Sequence, residues 1–381
     1  MEEALRGRAS ELFTERMRNL LAVPAIAGLA ACATPALQPA PASSYSNPVI
    51  DSDFPDPAVI RAEDGYYYVY ATQGGAPMRN IQVARSPDLI NWQMIADALP
   101  TKPNWASRTQ DFWAPAVSYA NGTYYLYYSA KPDAALTDTS QGLCMAVATS
   151  RSPAGPFVDI GRPLQCGEGF VNIDPFAYDD PETGKKLLYW GSGFGAIKVQ
   201  ELADDRVSFK PGSKPVDLIP TIKTDDPAEY QRLVEGVWIT RRDGYYYLFY
   251  SGDNCCGLKA HYAVMVARST RATGPFELRP RPLYLVVEAN DRWLAPGHNA
   301  VIRDDAGQDW LLYHGVDRQR PRSEPTDEIN TRRVLLMDRV IWRDGWPEVA
   351  GKEPSSDQQV GPVVRSQPQG ERPAERVLGL D

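Results

Sequence analysis

The sequence predicts an all-β fold, a five-bladed β-propeller, on three observations. One pattern occurs five times: a short apolar strand, a turn rich in Asp, Asn and Gly, then a strand rich in Tyr, Leu or Trp. The copies start at Asp56, Ala114, Asp174, Glu235 and His298, spaced 58, 60, 61 and 63 residues apart. No helical periodicity interrupts them. Repeats of this length with several strands each stack radially as blades, whereas a β-sandwich gives shorter and less regular units.

Blade 1 reads "DPAVIRAEDGYYYVYAT" from Asp56, and blade 2 reads "APAVSYANGTYYLYYSA" from Ala114. Blade 3 is "DPFAYDDPETGKKLLYWGS" from Asp174, blade 4 "EGVWITRRDGYYYLFYSG" from Glu235, and blade 5 "HNAVIRDDAGQDWLLYHGV" from His298. Each is a hairpin by its turn residues. Third strands follow, such as "IQVARS" from Ile81 and "YAVMVARS" from Tyr262. The five units place the folded domain at residues 45–350. The tail, residues 351–381, is polar and proline-rich and reads as disordered.

The N-terminus is separable. "MRNLLAVPAIAGLAAC" (Met17 to Cys32) has a cationic start and an apolar run too short to span a bilayer, which needs about 20 residues. Residues 1–32 therefore read as a secretion signal. The charged residues before Met17 leave the start open between Met1 and Met17. Residues 33–44, rich in Pro, Ala and Ser, read as a flexible tether. An exported chain can hold disulfides, and Cys144, Cys166, Cys255 and Cys256 allow three pairings. The net charge of −8 and the absence of a basic run argue against nucleic acid or anionic membrane surfaces and suit a neutral partner such as a sugar.

The first strand of each blade lines a propeller's channel, so equivalent repeat positions form a ring. The repeat puts Asp56, Ala114, Asp174, Glu235 and His298 on that ring. Pro55 and Pro57 restrict the backbone around Asp56 and aim its carboxylate. One acid alone would read as a turn or strand cap. Three acids on one ring raise each other's pKa and point to chemistry. An ionised carboxyl beside a protonated one, facing a neutral sugar, suggests glycoside hydrolysis.

"NPVIDSDFPDPAVI", "DFWAPAV", "NIDPFAY", "VEGVWI" and "GHNAVI" fall one per blade. In this order they resemble glycoside hydrolase family 43, the arabinanases, α-L-arabinofuranosidases and β-xylosidases. The resemblance implies that Asp56 is the general base, Glu235 the general acid, and Asp174 a third acid tuning and orienting Glu235. It implies inversion of configuration, with base and acid roughly 6.5–9.5 Å apart. It implies that Trp113 and Phe54 wall the sugar pocket and that Arg333, or its neighbour Arg332, reaches the sugar. No cofactor is required. His298 resembles a channel histidine that contacts a calcium ion through water in arabinanases. The segment from Arg332 to Val349 looks like arabinose-directed members, as does the lack of a C-terminal β-sandwich. The implied partners are arabinan, arabinoxylan or their oligosaccharides, with β-xylosides as the alternative. Leu29-Ala30-Ala31-Cys32 resembles the lipobox of bacterial lipoproteins, implying an envelope protein that meets the membrane only through a lipid on Cys32. Two rivals remain. Fructan hydrolases typically carry "RDP" and "EC" where this chain has "IDP" and "VEG". A non-enzymatic glycan-binding propeller would need no acid–base pair.

Overall fold

A computed structural model of the protein describes residues 43–322 and 331–365. Five antiparallel sheets follow the five repeats. Blade 1 is Ala58–Arg61, Tyr67–Ala71, Gln82–Ser86 and Gln93–Asp97. Blade 2 is Phe112–Ala120, Thr123–Ala130 and Cys144–Ser150, with two short pieces, Val158–Asp159 and Gln165–Cys166, sharing the outer position. Blade 3 is Phe176–Asp179, Lys186–Trp190, Ile197–Glu201 and Val216–Ile219. Blade 4 is Val234–Arg242, Tyr245–Asn254, His261–Ser269 and Leu285–Val287.

Blade 5 contributes only Trp293–Arg303, Asp309–Asp317 and Arg333–Arg339 from its own repeat. Its outer position is taken by the start of the folded domain. Val49 N–H donates to Leu335 O at 2.9 Å, and Leu335 N–H donates to Ile50 O at 3.1 Å. The two ends of the propeller are thereby joined by a short backbone bridge at Leu335, on an edge that would otherwise stay unpaired there.

The core explains the composition. One apolar cluster fills each blade interface, from Tyr70 with Leu126 between blades 1 and 2 round to Val69 with Trp310 between blades 5 and 1. The second strand of each blade is sandwiched on both faces, so it is continuously apolar rather than alternating. Its tyrosines bring a hydroxyl into that interior, and a buried hydroxyl needs a partner. Tyr70, Tyr127, Tyr189 and Tyr247 each donate to a backbone carbonyl farther along the chain, on Pro153, Arg206, Ala272 and Gly345 respectively. These tyrosines therefore tie each of blades 1–4 to the next.

Two boundaries differ from the sequence reading. Ser44–Tyr45 pairs with Gln359–Val360, and Asn47 Nδ2 donates to Met337 O at 3.1 Å and Ser355 Oγ at 3.0 Å. The end of the expected tether and the start of the expected disordered tail are thus held in the fold by main-chain pairing, which composition does not reveal. The signal, Cys32 and the rest of the tether and tail lie outside the described residues. Of the three cysteine pairings, the structure has Cys144–Cys166 and the vicinal Cys255–Cys256.

Candidate active site

Just before or near the start of the inner strand in blades 1–4, and midway along it in blade 5, stands a residue in the left-handed region: Asp56 (φ 57°), Ala114 (46°), Asp174 (56°), Gly236 (65°) and His298 (48°). Each non-glycine residue there costs about 1–2 kcal/mol, and such residues persist where surrounding structure fixes them. Here the fixing is repetitive. Asp56 N–H donates to His314 Nδ1 (3.1 Å), Ala114 N–H to Thr72 Oγ1 (2.8 Å), Asp174 N–H to Ser129 Oγ (3.1 Å), and His298 N–H to Ser251 Oγ (2.8 Å). In every case the acceptor stands in the second half of the preceding blade's second strand or just beyond it.

Blade 4 departs from this rule. Its ring residue is Gly236, whose N–H donates to Asp174 Oδ2 at 3.0 Å. Ser192, the hydroxyl that the pattern would direct to Gly236, instead donates to Glu235 Oε2 at 2.6 Å. Glu235 is thus one residue off the ring position that the repeat gave it, level with Trp113. The backbone itself is not displaced: the register shift between Glu235 and Trp238 matches the one between Trp113 and Ala116 in blade 2, and only the acid has moved to the preceding residue. Gly236 is required here twice over, by its φ and because a Cβ would meet the His298 ring at 3.3 Å.

All three acids line one cavity of about 690 Å³, together with Trp113, His298 and Arg333. Asp56 Oδ2 accepts from Thr72 Oγ1 at 2.6 Å and Oδ1 from Arg333 Nη1 at 2.9 Å. Burial would raise its pKa, but the Arg333 charge and the neighbouring imidazoles hold it well below the usual carboxylate range. Glu235 Oε1 accepts from Tyr262 Oη at 2.9 Å. Burial, reinforced by the Asp56 charge, pushes Glu235 up to about 7, against the pull of Ser192, Tyr262 and Arg333. Asp174 is pushed well above its ordinary value by burial, then by repulsion from Glu235 and Asp56. One carboxyl is therefore kept ionised and two are biased toward the proton, the separation of roles that acid–base chemistry needs.

His298 Nδ1 lies 3.6 Å from both Asp56 Oδ1 and Asp174 Oδ2. Burial lowers its pKa, so the ring is neutral beside them. His314 is fully buried and brought down to about 4 by burial. Its ring stacks parallel to Tyr262, with centroids 5.8 Å apart. It therefore touches the backbone of Asp56 on one side and the tyrosine that holds Glu235 on the other.

Of the remaining expected residues, Trp113 and Arg333 reach the cavity. Arg332 does not: it pairs with Asp51. Phe54 is a correction. It is 0 % exposed and packs with Val59, Val69 and Leu335, because its N–H donates to Arg333 O and seats it in the seam between blades 5 and 1. Thr72, Ser192, Tyr262 and His314 were not picked out from sequence. Except for Tyr262 their signal was present, since Thr72, Ser129, Ser192, Ser251 and His314 all fall within two residues of the end of the repeat segments.

A calcium ion takes about 6–8 oxygen ligands. Near His298 both carboxylates are already engaged, Asp56 by Thr72 and Arg333 and Asp174 by the Gly236 amide. Among the described residues no group of three or more His, Cys, Asp and Glu is placed to hold a metal. Among the described residues no direct cage for calcium is formed, and a contact through water, as the resemblance implies for His298, would not require one.

The family model for "Glycosyl hydrolases family 43" matches residues 45–347. The extracellular exo-α-(1→5)-L-arabinofuranosidase ArbA of Cellvibrio japonicus is 28% identical over 325 residues, covering 79% of this chain and 87% of the relative. A xylan 1,3-β-xylosidase from a Vibrio species is 27% identical over 338 residues, covering 82% of this chain but only 58% of the relative. Among solved structures, a thermostable family-43 glycoside hydrolase superposes with a TM-score of 0.67 at 27% identity, over 85% of this chain and 100% of that one.

Proposed function

This chain belongs to glycosyl hydrolase family 43 and is a glycosidase, and from that premise we propose that it releases L-arabinose from α-1,5-linked arabinan or its oligosaccharides by inverting hydrolysis. The observation that carries the mechanism is the opposite bias of two carboxyls in one cavity, Asp56 held ionised and Glu235 pushed up to about 7. Asp56, fixed by Thr72 and Arg333, takes a proton from water as it attacks the anomeric carbon. Glu235, held by Ser192 and Tyr262, gives its proton to the departing glycosidic oxygen. The acids exchange one proton each, water supplies the hydroxyl, and no covalent intermediate forms. Arg333 neutralises the base in the resting site, and Asp174, fixed by the Gly236 amide, adjoins the acid.

The arabinose preference rests on the likeness of the segment from Arg332 to Val349 to arabinose-directed members and on the Cellvibrio relative. A β-xylosidase reading is supported by the Vibrio relative at nearly the same identity. Assays on linear arabinan, aryl α-L-arabinofuranoside and aryl β-xyloside decide between them. Arabinose release is expected, and release of xylose alone contradicts the preference. Export with lipid attachment at Cys32 is proposed from residues 17–32 and from relatives named as extracellular. Fatty-acid labelling is expected in the wild type and absent in Cys32→Ala; an unlabelled wild type refutes the anchor.

A further inference from the structure

The two hydrogen bonds that hold Glu235 come from two chain segments, and each segment carries an apolar surface to the same cavity. Ser192 belongs to the loop after Lys186–Trp190 of blade 3, and two residues on, Phe194 lines the cavity at 66 % exposure. Its ring meets Phe170 edge-on with centroids 5.8 Å apart. Its backbone is left-handed (φ 63°), and its carbonyl accepts from Thr221 Oγ1 at 3.3 Å. The second bond comes from Tyr262. Cys255, one partner of the vicinal bridge, packs against the small cluster that contains Tyr262. Both sulfur-bearing residues line the cavity, at the turn that links Tyr245–Asn254 to His261–Ser269.

The surroundings of the base contrast with this. Asp56 is flanked by Thr72, Arg333 and His298, all polar. A site that activates water on one side and expels a sugar on the other needs that asymmetry. Water requires hydrogen-bonding neighbours. A sugar ring presents an apolar C–H face that packs on aromatic and other apolar surfaces. The cavity also lies within the range of about 300–1,000 Å³ that encloses ligands of several rings.

We propose that Phe194 and the Cys255–Cys256 bridge form the two walls that grip the leaving-group sugar beside Glu235, and so set the preference for an oligosaccharide over a substrate without a sugar leaving group. The inference rests on the hydrolase reading above and assigns these residues to binding, not to proton transfer. A leaving group stacked on them holds the glycosidic oxygen against the acid, so their contribution is present only when a sugar departs.

The test compares a trisaccharide of the accepted sugar with the glycosyl fluoride of that sugar, whose leaving group is one atom. Phe194→Ala and the double variant Cys255→Ser/Cys256→Ser are measured on both, with Phe194→Tyr as the variant that keeps the ring. Phe194 is exposed, so Phe194→Ala tests the idea even if the double variant folds poorly. The ratio of kcat/KM for trisaccharide over fluoride is expected to fall at least about ten-fold in Phe194→Ala, equal to about 1.4 kcal/mol, and to return in Phe194→Tyr. Equal losses on both substrates, or no loss on either, overturn the assignment alone. A wild type that cleaves no glycoside overturns the hydrolase reading and this inference with it.

Discussion

Asp56 and Glu235 share a cavity but face different chemical neighbours, and that difference separates the roles proposed for them. Arg333 and Thr72 stabilise the charge on Asp56. Glu235 receives two hydroxyl hydrogen bonds but no cation of its own, so burial prevails. The sign of the pH dependence follows. The acid works only while protonated, and its raised value is about 7. As pH rises through 7, kcat/KM should fall about ten-fold per unit. Asp56 stays ionised far into acid, so no loss from the base is expected between pH 5 and about 7. Glu235→Ala should lose roughly 10²–10⁴-fold on natural glycosides, and much less on a dinitrophenyl glycoside, whose leaving group departs without a proton. It should also lose the basic limb. A wild-type limb near 4.5, or a Glu235→Ala profile that keeps its limb, contradicts this assignment. The carboxylate types were legible as three acids on a repeat. The environments that separate them were not, because the repeat marks where Ser192 and Thr72 stand but not that Ser192 and Tyr262 reach Glu235 while Thr72 and Arg333 reach Asp56.

At the scale of the element, the inner strands share one device: a left-handed residue whose N–H is caught by a side chain of the blade before it. The device turns the strand mouth toward the cavity. Blade 4 alone fills the position with glycine and moves its acid one residue upstream. Gly236→Ala should cost about 1–2 kcal/mol of stability from the backbone. It should cost activity as well, because the new Cβ lies 3.3 Å from His298. Gly307→Ala is the control: its φ is 83°, but a Cβ there meets nothing within 4 Å. Denaturant unfolding should show both variants destabilised, while kcat should fall only in Gly236→Ala. Equal kcat in the two variants would mean that the close approach to His298 does not position the site. The Asp-Pro and Glu-Gly motifs marked these strand mouths in the sequence, but the one-residue offset was hidden. The repeat aligns residues by type, so the acid Glu235 is matched to Asp56 and Asp174 although the left-handed backbone position falls on Gly236. Phe54 was misjudged for a related reason: next to Asp56 it looks like part of the pocket, yet its backbone bond to Arg333 turns the ring into the blade seam.

The whole molecule converts sequence distance into proximity. Asp56, Asp174 and Glu235 belong to three blades and meet in one cavity because the ring is closed. That closure was legible as five repeats, but its latch was not. Ile50 joins blade 5, and Gln359–Val360 returns to Ser44–Tyr45, through backbone pairing that any polar segment could supply. In the mechanism we propose, the closed ring sets a charged base and a protonated acid around one sugar, so that water displaces the leaving group directly. Proton NMR of the first-formed sugar, recorded before mutarotation, tests it most directly. A product of inverted anomeric configuration is the predicted result. A product of retained configuration would require a covalent glycosyl-enzyme intermediate and would contradict the role given to Asp56.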